Sequence, residues 1–573
     1  MSGVCGWVGY GQSVVENQQI SESMAQVLTR FDHSRSQIYV DENSSLAIAA
    51  SEQQLHYFHK NDIIVGIWGH AKFNNDELNQ LILSQGIAGV LLDQWVNNGP
   101  SIIESLLGEF ICCLVNAKSH EVFIAVDRMG TRPLYYQILE NGLLFGTSLD
   151  AMMRHPLAKD EISNQGIYDY IYFHMVPGPN TIYREPRRLL PGEYIYYKHG
   201  TLTVERYWNA QFRENEVQSF SELKQSFISL LHTSMEDAIA GYQHVGAFLS
   251  GGTDSSTIAG MLQEVTGKPA KTFSIGFDAP GYDEMDYARI AARHFSTNHH
   301  EYYVTPEDVA SAIPQVAAIF DQPFGNASAI PSFYCAQMAK KDGIDLLLGG
   351  DGGDELFAGY NKHYGEWQSR NGGWKAKMIQ ELLPIWNVLP KSRSGGVSNK
   401  IRQLQRFAEG MKLSPAERYW RWAGFADAKQ INELFSNQSK EKWQEQEYQS
   451  RKAEILKTMP ANSTINDMLL TDMHLVLTND MLTKVDLMSM ANALEVRVPF
   501  LDFEVVNFLF SLPDDFKINS SIRKRILQDA FKDLLPAQLY NRPKKGFEVP
   551  LLKWFRNEMK SLIVDDLLSE KFV

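Results

Sequence analysis

Residues 1 to about 205 alternate short apolar runs with turn-forming residues. The runs at 63–68, 110–115, 122–126 and 194–197 have strand length, and the segment PRRLLPG at 186–192 carries turn signals. From about residue 216 the period changes. Apolar residues at 220–239 recur at helical spacing. A strand at 245–249 then runs through a glycine turn into a helix at 255–265, and further strands follow at 272–277 and 345–348. Strands separated by helices predict a parallel α/β sheet. Residues 369–400, with clustered Gly, Pro, Ser and Lys, read as a mobile insertion, and most of the chain beyond them, including 472–490, reads as helical. Two domains are therefore expected, 1–205 and 216–573.

Composition narrows the function classes. The 573 residues are 44% hydrophobic and 21% charged, as in an ordinary soluble protein of several domains. A formal net charge of −14 argues against a nucleic-acid binder, which usually presents a basic face. No apolar run approaches the ~20 residues of a membrane span. The start, MSGVCGWVGY, lacks the basic and apolar regions of a signal peptide. Four unpatterned cysteines suggest neither a disulfide framework nor a zinc site. A cytoplasmic protein with no nucleic-acid or membrane partner is expected.

Two loops carry the chemistry. Leu249-Ser250-Gly251-Gly252-Thr253-Asp254-Ser255-Ser256 ends a strand and opens a helix. Its glycines allow a tight turn, and the free N–H groups at a helix start attract phosphate oxygens. Ser250, Ser255 and Ser256 can add hydroxyl donors. Asp254 would repel phosphate unless it holds a Mg²⁺ ion that bridges phosphates. No Gly-Lys-Ser/Thr closes the segment, so it is not a Walker A loop. The second loop, Gly349-Gly350-Asp351-Gly352-Gly353-Asp354-Glu355, follows the third strand, on the side where open α/β sheets bind ligands. Asp354 is the second candidate metal ligand, facing Asp254.

These residues carry a resemblance. LSGGTDSS resembles the pyrophosphate-binding loop of the ATP pyrophosphatase superfamily, and LLGGDGGDELFAGY resembles the matching loop of asparagine synthetases. DQPFGNASAIP at 321–331, LTKVDLMSMANALEVRVPFLD at 482–502 and RPKKGFEVP at 542–550 are similar to the same family in the same order. CGWVG at 5–9 and DRMGTRPLYY at 127–136 resemble its class II glutamine amidotransferase domain. The resemblance implies an N-terminal Ntn-type αββα sandwich, followed by an ATP-pyrophosphatase-like domain with a helical C-terminal part. It implies that ATP activates a carboxylate as an acyl-adenylate, releasing pyrophosphate, and that an amine then displaces AMP. It also implies that Lys484 is catalytic, that Asp254 and Asp354 hold Mg²⁺, and that Leu249, Ile275, Gly349 and Gly350 frame the nucleotide. Asp351 joins the site as a base, a metal partner or a local brace. Lys545 is a phosphate contact or half of a solvated pair, and Glu495 with Arg497 is expected to be a structural ion pair.

The glutamine-handling parts depart from that pattern. The family's nucleophilic cysteine must be N-terminal, so that its own α-amine acts as base. Here Cys5 follows Met-Ser-Gly-Val, and removing Met1 would expose Ser2. Leu46-Ala47-Ile48-Ala49-Ala50 stands where an arginine-bearing segment is usual. Trp68-Gly69-His70 replaces Asn-Gly-Glu, and Gly86-Ile87-Ala88-Gly89 lacks the amine-anchoring acid. An inactive glutaminase is expected. A degenerate domain with a shifted cysteine most resembles the lasso-peptide cyclases, which imply a precursor-peptide substrate, a leader-binding protein and a leader protease. The alternative is an asparagine synthetase running on ammonia, or on glutamine after unusual processing, with a small amino acid as substrate. Gln322, Asn326 and Ala327 stand where the family is more acidic or hydroxylated, which speaks against the alternative.

Overall fold

A computed structural model describes residues 2–31, 34–210, 218–279, 282–392, 396–437, 439, 445–540 and 549–570. The first twelve strands are β1 (Gly3–Val8), β2 (Arg35–Val40), β3 (Ser44–Ala50), β4 (Leu55–Lys60), β5 (Ile63–Phe73), β6 (Leu106–Asn116), β7 (Glu121–Val126), β8 (Tyr135–Leu139), β9 (Gly142–Gly146), β10 (Arg187–Arg188), β11 (Glu193–Lys198) and β12 (Thr201–Arg206). They form two antiparallel sheets, ordered β10-β8-β9-β1-β3-β2 and β12-β11-β7-β6-β5-β4.

Side-chain alternation along each strand decides how these sheets stack. Val4, Val8 and Leu46 from the first sheet meet Ile64, Trp68 and Ile111 from the second in one core. The intervening residues point outward. Cys5, Trp7 and Ala47 pack on the helix Val14–Leu28 through Met24 and Leu28. Val65, Cys112 and Leu114 pack on the helix Asp76–Asn98 through Ile87 and Leu91. The outcome is the expected αββα sandwich. Its inner core continues into the second half of the chain through Ile319, Phe333, Leu487 and Met488, so the two halves share buried apolar surface.

The third sheet is parallel. Its strands are β13 (Val245–Phe248), β14 (Lys271–Phe277), β15 (Asn298–Val304), β16 (Leu346–Leu348) and β17 (Glu495–Arg497), ordered β15-β14-β13-β16-β17. The chain leaves β13 toward β14 on one side and returns to β16 on the other. The crevice beyond the C-terminal ends of β13 and β16 is therefore the switch point where such sheets bind ligands.

Three elements differ from the sequence pattern. β15 (NHHEYYV) is an edge strand and keeps polar residues, so it lacks the apolar run of a buried parallel strand. The helical stretch 472–490 is interrupted by a π-helix, Met473–Leu482. Side chains reach back five residues to its loosened carbonyls: Thr478 Oγ1 donates to Met473 O at 2.9 Å and Thr483 Oγ1 to Thr478 O at 2.9 Å. Residues 369–400, expected to be a mobile insertion, are largely helical in their described part, where the pattern showed no helix.

His155 gives the sandwich a pH dependence. It is 2% exposed and packs against Trp7 and Tyr10 with ring centroids 4.9 and 4.8 Å away. Burial pushes its pKa down to about 4. The unfolded chain, with an ordinary value of ~6.5, therefore takes up the proton first. The contribution of neutral His155 is intact above pH ~6.5 and falls as pH drops toward 4, by up to about 3 kcal/mol. Denaturant unfolding between pH 7 and 4.5 is expected to show this loss in the wild type and a shallower slope in His155→Gln. Equal slopes would remove His155 as the cause.

Candidate active site

Beyond β13 the chain turns sharply. Gly251 has φ +69°, and a Cβ there would lie 2.4 Å from the Tyr287 carbonyl carbon, so only glycine fits. Ser250 N donates to Ser255 Oγ at 3.1 Å, and the two hydroxyls lie 3.0 Å apart. Gly252 then starts the helix Thr253–Thr266 with no side-chain cap. The first-turn N–H groups are thus left for a ligand, with the positive end of the helix dipole behind them.

The second loop presses against the first. Gly349 N donates to Arg497 O at 2.9 Å, which fixes the loop to β17. A Cβ on Gly353 would lie 2.7 Å from Asp254 Cγ, so glycine lets the two loops touch. Between them stands Lys524, 5% exposed, with its own backbone in the left-handed region at φ +54°. Its ammonium binds Asp354 Oδ1 at 2.5 Å and Asp254 Oδ2 more closely still. Burial works against its charge, but the Asp254 and Asp354 carboxylates prevail and hold its pKa above the usual lysine value. A non-glycine residue held in that backbone region by its surroundings is typical of functional sites.

The other candidates lie on these loops and on neighbouring elements. The Asp351 carboxyl is pushed up by burial and restrained by the charge of Lys484. Lys484 lies on the helix Thr483–Met490, is 7% exposed, and has its Nζ 3.6 Å from Met481 Sδ. It therefore faces Asp351 while Lys524 joins the two aspartates. Glu355, beside Asp354, is pushed up to about 8 by burial and accepts from Tyr360 OH at 2.7 Å. Behind it Asp472 is bound by His363, Lys362 and Tyr419, each at 2.6 Å. Leu249 is buried in the core and can face a ligand only through its backbone. Ile275 is half-buried on β14. The Ser256 hydroxyl is buried without a hydrogen-bond partner. Lys545 lies outside the described residues.

Two carboxylates and the phosphate oxygens of a nucleotide are a suitable donor set for Mg²⁺. Asp254 Oδ1 is buried and has no hydrogen-bond partner, so the residues fit such an ion. Among the described residues no cluster of three His, Cys, Asp or Glu is arranged for a metal. The Lys524 ammonium lies between the expected metal ligands Asp254 and Asp354. Lys524 was missed because it sits in the run Ile522-Arg523-Lys524-Arg525, which reads as a solvated charged turn.

The segments of the N-terminal sandwich that depart from the family pattern have their own partners. Cys5 lies in mid-strand, paired with Ala47 on β3 and Gly146 on β9, and burial pushes its thiol up to about 12. Gly3 and Val4 ahead of it are paired too. His70 reaches across to Glu495 at 3.0 Å, and Glu495 also binds Arg497 at 2.9 Å and accepts from Tyr242 OH. Glu495 and Arg497 are therefore the ion pair expected, within a cluster that bridges both halves of the chain. The amides at 321–331 bridge as well. Gln322 Oε1 accepts from Ile182 N at 3.1 Å, and Asn326 donates to Asp480 at 2.7 Å while His174 holds the other Asp480 oxygen at 2.9 Å.

A family model described as asparagine synthase matches residues 226–572, and one described as a glutamine amidotransferase domain matches 1–208. Asparagine synthetase [glutamine-hydrolyzing] 1 of Bacillus subtilis (strain 168) is 29% identical over 480 residues, covering 83% of this chain and 73% of that protein. Asparagine synthetase [glutamine-hydrolyzing] 3 of the same organism is 23% identical over 587 residues, covering 96% and 87%. A putative asparagine synthetase [glutamine-hydrolyzing] of Mycobacterium bovis is 27% identical over 469 residues, covering 80% and 69%.

Removing the Lys524 ammonium leaves two carboxylates facing each other. Lys524→Met is expected to lose about 3–5 kcal/mol of stability without divalent cation. Mg²⁺ at millimolar levels should recover more melting temperature in the variant than in the wild type. Equal responses would mean that the carboxylates do not share a cation site with Lys524.

Proposed function

The chain belongs to the asparagine synthase family of ATP-dependent amide-forming ligases, and we propose that it takes its amine from a source other than glutamine and closes a macrolactam ring in a precursor peptide. In this reading an Asp or Glu side chain of the peptide attacks the α-phosphorus of ATP, and pyrophosphate leaves. The peptide's own α-amine then attacks the acyl carbon, and AMP leaves. Holding the peptide folded makes that attack intramolecular, with a high effective molarity.

The chain's residues divide this work. Ser250, Ser255 and the first-turn N–H groups after Gly252 donate to phosphate oxygens. Asp254 and Asp354 would hold Mg²⁺, which when bound neutralises phosphate charge. Lys524 offers its ammonium to the negative charge that develops at the reacting phosphorus and acyl centre, an effect worth about 3–4 kcal/mol per fixed donor. Asp351, with its proton affinity raised by burial, is assigned the proton of the attacking amine, and Lys484 holds it in place.

The observation that carries this reading is Cys5. A nucleophile that must be N-terminal is here preceded by two paired strand residues, and its thiol is suppressed by burial. The amides at 322 and 326, engaged in bridging bonds, add support, because they replace groups suited to a small charged substrate. A leader-binding protein and a leader protease are the partners this reading requires. The second reading is an asparagine synthetase, favoured by the likeness to such enzymes across 96% of the chain.

The test incubates the protein with ATP, Mg²⁺ and aspartate, with ammonium or with glutamine, and reads asparagine and AMP by mass spectrometry. No asparagine is expected in either case. With precursor peptide and its partners, AMP and a product one water lighter than the linear core are expected, unchanged in Cys5→Ala. Asparagine from ammonium would establish the second reading. Asparagine from glutamine, lost in Cys5→Ala, would overturn the inactive glutaminase as well.

A further inference from the structure

One helical excursion carries charge opposite to that of the chain as a whole. Residues 373–410 hold seven lysines and arginines against two acids, Glu381 and Glu409, in a chain of net charge −14. Three helices build it, Gly373–Glu381, Leu383–Val388 and Gly396–Gly410, with the first two packed on the third. Among the described residues its buried hydrophobic side chains are few: Ala376, Leu383 and Ala408.

Several of its large apolar side chains are exposed instead. Trp374 is 69% exposed, Val388 83% and Val397 77%, with Met378 and Ile385 about half exposed. On the first helix Trp374 and Met378 stand one turn apart and form a stripe. At 100° per residue, Lys375 and Lys377 flank that stripe on either side, while Ala376 points to the interior. Lys391 and Lys400, both exposed, follow Val388 and Val397 by three residues each. Lysines thus border the Trp374–Met378 stripe on the first helix, and Lys400 stands one turn from Val397 on the third.

We propose that this face docks on the surface of an anionic lipid bilayer. Interfacial helices pair a Trp-bearing apolar stripe with lysines, and anionic headgroups attract such a cluster. Protein interfaces, by contrast, are depleted in lysine. No described helix is long and apolar enough to cross a membrane, so the contact is peripheral. The sequence-based expectation of no membrane partner rested on the lack of a spanning segment, which does not bear on surface binding. Docked in this way, the ligase would act at the bilayer surface.

Co-sedimentation of the full chain with vesicles tests this. Vesicles of phosphatidylcholine with about one-third phosphatidylglycerol are expected to bind at least ~10-fold more protein than pure phosphatidylcholine, and 0.5 M salt should release most of it. A variant with Lys375, Lys377, Lys391 and Lys400 changed to Glu should lose the binding. Trp374→Ser with Met378→Ser should weaken it several-fold, while circular dichroism and ATP-dependent AMP release stay at wild-type levels. Equal pelleting with both vesicle types would overturn the proposal, as would binding unchanged in the folded charge-reversed variant. A folded wild type that ignores vesicles but self-associates, or captures an acidic polypeptide, through Trp374 would assign the face to a protein contact and overturn it too.

Discussion

The Lys524 ammonium, held between Asp254 and Asp354, is the contact on which the catalytic half depends. Two glycine-rich loops leave adjacent parallel strands and bring two carboxylates together in a crevice where they are only partly exposed. Two such charges repel strongly at low dielectric. One buried cation cancels that repulsion and joins three segments: the loop after β13, the loop after β16 and the turn before Arg525. The same arrangement suits phosphate chemistry, because a site that holds an ammonium and two carboxylates in place needs little reorganisation when negative charge develops.

A second constraint ties the N-terminal sandwich to this centre. Its core runs on into Leu487 and Met488, on the same helix as Lys484. The polar cluster of His70, Glu495 and Arg497 reaches β17, whose Arg497 carbonyl holds Gly349. The glutaminase-like half can therefore lose its chemistry and still be kept. Removing it would expose apolar surface and take His70 away from Glu495, on the strand that holds Gly349.

The π-helix Met473–Leu482 belongs to the same argument. Arg188 and Gly178 of the sandwich both donate to Asn479 within it, and His174 holds Asp480. Widened turns let these side chains face the sandwich while the following helix still presents Lys484 to Asp351. That geometry is a compromise between two surfaces, not a product of helix propensity.

Local pattern determined the strands β5, β6, β7 and β11, the strand–glycine–helix turn at Ser250–Ser255 and the acidic glycine loop at 349–355, while the αββα sandwich and the displacement of Cys5 were legible only through the family resemblance. Each local feature is a matter of backbone freedom or of period within a few residues, so it is written in adjacent positions. Tertiary structure alone decided the rest. Lys524 meets Asp254 across 270 residues of chain, and nothing beside it in sequence marks it as buried. β15 and β17 are strands because of the edges they occupy, and the amides at 322 and 326 find their partners on other elements. Burial and charge pairing are properties of what packs together in space, and these sites were legible only once the sheets and loops had been assembled.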